Sequence, residues 1–108
     1  MAQTKADVRR VVGRFCQQLE QMGIRSERVL LFGSQAKGTA REGSDIDLVI
    51  VSAAWEPYSE RERLELLGIA AARILEPVQA HGATPEEIAA HRLSPFLEQV
   101  LQEQAVVM

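Results

Sequence analysis

Two short apolar runs, Val29-Leu30-Leu31-Phe32 and Ile46-Asp47-Leu48-Val49-Ile50-Val51, stand either side of the polar stretch GSQAKGTAREGSD. Runs this short and this rich in Val, Ile and Leu suit central strands better than helices. Two such strands oblige the chain to build a sheet and to cover it. The second strand nevertheless begins with paired acids, Asp45 and Asp47. Side chains two apart on a strand share a face, so the two carboxylates project together while Ile46 turns away. At roughly 6 Å separation and an effective dielectric near 20, their repulsion costs about 3 kcal/mol. A divalent cation removes that cost. Mg²⁺ commonly takes one or two protein carboxylates and fills its other positions with water and phosphate oxygens.

The flanking segments supply the cover. Val8, Val12, Phe15, Leu19 and Met22 recur at helical spacing with Gly23 as a stop, predicting a helix over about 4–22. Leu64, Leu67, Ala71 and Ile74 predict a second helix from Ser59 to about Arg73, opened by a Ser59–Glu62 capping box. A third strand is expected from Ile74 to about Ala80, with Pro77 restricting it to an edge or a first position. Thr84-Pro85-Glu86-Glu87 predicts a helix start, and Ser94-Pro95 opens a last helix carrying Phe96, Leu97, Val100 and Leu101. The order is α-β-turn-β-α-β-α-α, an α/β or α+β fold with one small mixed sheet flanked by helices. At 108 residues the chain reads as one domain, 1–108.

Composition removes several classes of function. Twelve basic residues face fifteen acidic ones, with no basic block, so no direct DNA or RNA grip is expected. Five aromatic residues are too few for a stacking platform along a nucleic acid. No apolar run approaches the roughly 18 residues of a membrane span, and none resembles a signal peptide. The single Cys16 excludes an internal disulfide framework and reads as a small core hydrophobe, which suits a reducing cytoplasm.

Gly33-Ser34 follows the first strand directly. Glycine permits a sharp turn and lets a ligand approach without meeting a Cβ. Ser34 is expected to cap a short helix begun by Gln35-Ala36-Lys37, its hydroxyl and the neighbouring N–H groups facing a polyanion. A Gly-Ser turn alone is commonplace, and an isolated Asp-x-Asp is ordinarily a solvated strand end. Their combination after two apolar strands, ten residues apart, is far more specific. The stretches Leu31-Phe32-Gly33-Ser34-Gln35-Ala36-Lys37-Gly38 and Ser44-Asp45-Ile46-Asp47-Leu48 resemble the signature of the DNA polymerase β-type nucleotidyltransferases. More narrowly, they resemble the minimal nucleotidyltransferases (MNT) of bacteria and archaea.

That resemblance implies Mg²⁺, at two sites, held by Asp45, Asp47 and a third carboxylate. It also implies phosphates held by Gly33 and Ser34; Lys37 and Arg41 are weaker phosphate candidates by charge, each read first as a solvated loop residue. The third acid is assigned to Glu76, which opens the third apolar run; many relatives carry an Asp deeper in this strand, where Gln79 stands here. In that alternative the site binds nucleotide without turning it over. The implied activity is transfer of NMP, from ATP or another NTP, to an acceptor hydroxyl. A core of this size is expected to find its acceptor on another protein, in a homo- or hetero-oligomer. The resemblance implies a HEPN-domain partner in a toxin–antitoxin pair. Two alternatives stand beside it: a non-catalytic antitoxin or complex subunit acting by contact, and an aminoglycoside nucleotidyltransferase. Arg41, Thr39 and Ser44 read as loop residues, His81 and His91 as exposed, and Trp55 and Tyr58 as packing at a sheet end or contacting a partner or base.

Overall fold

The structure, a computed structural model, describes residues 5–39, 45–103 and 106–107. Helix α1 (Lys5–Gln21) leads into β1 (Arg28–Phe32), the short helix α2 (Gly33–Lys37) and β2 (Ile46–Val51). A 3-10 turn (Ala53–Trp55) precedes α3 (Glu60–Ile74), β3 (Val78–Ala83), α4 (Pro85–Ala89), α5 (Pro95–Glu103) and β4 (Val106–Val107). The four strands form one mixed sheet in the order β3-β2-β1-β4. β1 runs antiparallel to β2 and β4, whereas β2 and β3 are parallel and joined through α3. Among the described residues no helix is long and apolar enough to cross a membrane.

Period-two alternation divides the strands between two cores. Val29, Leu31, Ile46, Leu48, Ile50 and Ala80 pack with Val11, Phe15 and Leu19 of α1 and with Leu67, Ala70 and Ile74 of α3. Leu30, Phe32, Val49, Val51 and Ala83 face the other way, onto Leu97 of α5. This second layer is the smaller one, covered by α5 with Ile88 of α4 and Leu93 beside it. Asp47 belongs to the same alternation as Phe32 and Val49, so the second face carries the acid.

Two of the helix starts read from sequence, at Ser59 and Thr84, carry full capping boxes. Ser59 Oγ accepts from Glu62 N at 3.1 Å while Ser59 N donates to the Glu62 carboxylate at 2.8 Å. Thr84 and Glu87 repeat the pattern at 3.0 and 2.8 Å. In α3 the buried face differs from the expected one: Leu64 is exposed, and Arg63 is buried instead. Arg63 tolerates burial because its Nε and Nη1 groups find acceptors and its charge is paired with Glu87. It donates to Tyr58 O (3.1 Å), Gly82 O (3.4 Å) and Glu87 Oε1 (2.7 Å), tying α3 to β3 and α4. Burial pushes the Glu87 carboxyl up, yet the bonds from Arg63 and Thr84 outweigh it and hold the group below its ordinary value.

Three boundaries depart from the sequence reading. The third strand starts at Val78, not Ile74, because Ile74 is the last buried residue of α3 and Leu75 ends that helix with a left-handed φ of 56°. Pro77 sits just outside the strand, where its carbonyl accepts from Ile46 N at 2.8 Å and its missing N–H costs nothing. β4, two residues long, pairs with Leu30 and Leu31 and is too short to leave a pattern. Ser34 lies inside α2 rather than capping it; Phe32 is the N-cap, and no side chain bonds there.

Candidate active site

Register brings the site together. Phe32, the last residue of β1, lies opposite Asp47, and Asp47 lies opposite Gln79 of β3. One row of the sheet therefore reads Phe32–Asp47–Gln79, all on the face of the smaller layer. The chain leaves this row at Gly33, whose φ of 71° is left-handed. A Cβ built on Gly33 would fall on Asp47 Oδ2, with the carboxyl carbon only 3.2 Å away. The turn and the acid thus converge on one point. Asp45, exposed, immediately precedes β2.

Electrostatics agree with this placement. Burial raises the Asp47 carboxyl above its ordinary value, the Asp45 charge raises it further, and His81 acts in the opposite direction. His81 faces Val49 in register, two residues along β3 from Gln79, and so shares the face of Asp47. Burial pushes the His81 imidazole below its ordinary value, against the pull of Glu60 and Asp47. His81 is therefore half-buried rather than exposed as expected. His91 is exposed, with Nδ1 3.2 Å from a Glu98 carboxylate oxygen.

The remaining sequence candidates divide. Glu76 lies two residues before β3 and forms an ion pair with Arg14 at 3.5 Å, and Arg14 also bonds the end of α3 through Ile74 O. Among the described residues no three His, Cys, Asp or Glu side chains group closely enough to hold a metal. The structure thus does not bring Glu76 to the Asp45–Asp47 pair. Gln79 stands in the row instead, offering a carboxamide oxygen where a third carboxylate was expected. Ser34 and Lys37 lie on α2 beside the turn, Lys37 exposed in the last turn. The exposed Thr39 donates its N–H to Ser34 O at 3.0 Å. Arg41 and Ser44 lie outside the described residues. Trp55 is fully buried, donates Nε1–H to Ile50 O at 3.0 Å and meets Tyr58 edge-on at 6.1 Å, so both rings close the sheet end.

Chemically, the donor set of two carboxylates and one carboxamide is hard oxygen throughout, which fits Mg²⁺. It also has a cost. A folded-state carboxyl raised above its unfolded value adds stability at low pH and loses it as pH rises. At neutral pH and without metal, ionised Asp47 therefore opposes folding. Asp47→Asn is expected to melt above the wild type at pH 7 in chelator, the gap closing as pH falls through the carboxylate range. Thermal melts across pH check this; an Asn variant that melts lower at pH 7 would refute it.

The sequence pattern missed His81 as a neighbour of Asp47, and Gln79 entered only as the alternative to Glu76 that the resemblance offered. Period two along β3 links them to each other, but only the pairing with β2 links them to the acid.

Comparisons with known proteins follow the same outline. A family model described as "Nucleotidyltransferase domain" matches residues 8–104. Among curated protein sequences none matches significantly. Of solved structures, a toxin–antitoxin crystal structure with AMP-PNP aligns at TM-score 0.61 and 22% identity, covering 88% of this chain and 69% of that one. A provisionally assigned nucleotidyltransferase from Sulfolobus solfataricus aligns at TM-score 0.56 and 18% identity, covering 99% and 89%. At such identities the structural likeness is one of fold.

Proposed function

The chain belongs to the nucleotidyltransferase domain family, and from that premise we propose that it transfers NMP, with ATP as donor, to a hydroxyl of a partner protein. The observation that carries this reading is the Asp47 carboxylate seated against the Gly33 turn. A bend that presents backbone without a Cβ, beside paired acids, suits a polyphosphate together with its cation. Asp45 and Asp47 would hold Mg²⁺, and Gln79 is placed to add a neutral oxygen. The metal would supply charge neutralisation at the phosphates. Gly33 and Ser34 would hold the triphosphate, with Lys37 at its edge. In the transfer the acceptor oxygen bonds the α-phosphorus, the bond to pyrophosphate breaks, and the hydroxyl proton is lost. Positioning and neutralisation supply most of what such a reaction needs.

The proposed acceptor lies on a HEPN-domain toxin partner. The toxin–antitoxin neighbour supports a protein partner of that general kind; the HEPN identity rests on the sequence resemblance.

One observation favours a second reading. Gln79, not a carboxylate, faces Asp47, which suits a subunit that binds nucleotide and acts on its partner by contact. Labelled ATP, Mg²⁺ and a HEPN-domain partner distinguish the two. Enzymatic transfer puts label on the partner with the wild type and none with Asp47→Ala. Partner inhibition that persists in Asp47→Ala, without label, selects the binder.

A further inference from the structure

We propose that the ring cluster of Phe32, His81 and Phe96 is the subsite for the nucleobase of the bound nucleotide. This rests on the nucleotide reading above and deepens it. Two of the chain's five aromatic residues and one of its two histidines gather on the face that carries Asp47. The ring centroids lie 6.2 Å apart for Phe32–His81, 5.5 Å for His81–Phe96 and 6.1 Å for Phe32–Phe96. Phe32 and His81 come from β1 and β3 and meet diagonally across β2, Phe32 in the row of Asp47 and His81 in the row of Val49.

Core packing accounts for Phe32, which is 8% exposed, but not for Phe96, which is 53% exposed at the start of α5. A phenylalanine ring half in water gains only part of the burial that would justify it. Its position, however, matches the shape of a nucleoside triphosphate. Such a ligand is anionic at one end and a flat heteroaromatic ring at the other. The protein face is likewise polar at Gly33 and Asp47 and aromatic at Phe32 beside them and at His81 in the next row. The imidazole and two phenyl rings recognise a π-face rather than a hydrogen-bonding edge, so purines of either kind should bind, and better than the smaller pyrimidines.

Isothermal titration with two probes, Mg²⁺-ATP and Mg²⁺-tripolyphosphate, tests the subsite. Phe96→Ala is expected to weaken ATP binding by about tenfold, within the range for loss of one base–aromatic stack, and to leave tripolyphosphate unchanged. Phe96→Leu retains apolar bulk without a π-face and should weaken ATP likewise, with a melting curve confirming the fold. Unchanged ATP affinity in both variants overturns the proposal. So does an equal loss for both probes, which would mean that the rings only support the fold. Intact ATP binding with reduced labelling of the partner would assign the rings to the acceptor, again overturning it. A wild type that binds neither probe would instead refute the phosphate-and-metal reading, and this inference with it.

Discussion

Gly33→Ala is expected to lower nucleotidyl transfer by at least about 100-fold while leaving the sheet folded. The reason is steric and local. The new methyl would clash with Asp47 Oδ2, and the left-handed φ of 71° at this position adds strain for any residue with a Cβ. The sheet need not move, because the Asp47 carboxyl is the terminal group of a side chain and rotates away more readily than backbone shifts. Rotation removes the acid from the turn that it serves. Displacing a group by about 1 Å in a site of this kind costs on the order of 100-fold. Gly38→Ala is the matched control. Gly38 has a similar φ of 74° but nothing within 4 Å of its virtual Cβ, so it carries the backbone strain without the clash. Nucleotidyl transfer and nucleotide binding should fall in Gly33→Ala and be near wild type in Gly38→Ala. Equal losses in the two variants would mean that backbone conformation, not the approach of Asp47, matters at the turn.

The largest effect on stability is expected at Trp55. Its ring is fully buried, and Gly82 of β3 lies so close that an added Cβ would stand 2.8 Å from the indole. Trp55→Ala should cost about 3–5 kcal/mol, as large aromatic truncations in cores do. For a domain of this size that is a large fraction of the total stability and lowers Tm by more than about 10 °C. Gly82→Ala should also destabilise, for the opposite reason, since it overfills the same space. The two substitutions touch one another and should therefore not add. With the indole gone, the Gly82→Ala methyl has room, and the double variant should be more stable than the sum of the single losses requires. Chemical denaturation of all four proteins measures the coupling. Strict additivity would show that the indole and Gly82 do not constrain each other.

How much of this was legible beforehand depends on how local the cause is. The apolar runs at 29–32 and 46–51 and the boxes at Ser59 and Thr84 depend on neighbours within four residues, and each stands where the sequence pattern puts it. The buried Arg63 was not legible, because its partners Gly82 and Glu87 lie nineteen and twenty-four residues away. The start of β3 was misplaced for a related reason. Ile74 reads as strand by composition, but packing against the core makes it the last turn of α3.

The site divides in the same way. Spacing along the chain was enough to single out Gly33, Asp45 and Asp47, since a turn after one strand and acids two apart on the next are short-range features. Which residue of β3 faces Asp47 is a matter of strand register, and a slip of one residue would turn every side chain to the opposite face. Parallel pairing with β2 puts Gln79 beside Asp47 and His81 one step along, and leaves Glu76 with Arg14. Phe96 reaches the same face only because α5 folds back across the sheet through Leu97. Periodicity along one strand carries no information about its offset from another; that offset is settled by the packing of both cores at once.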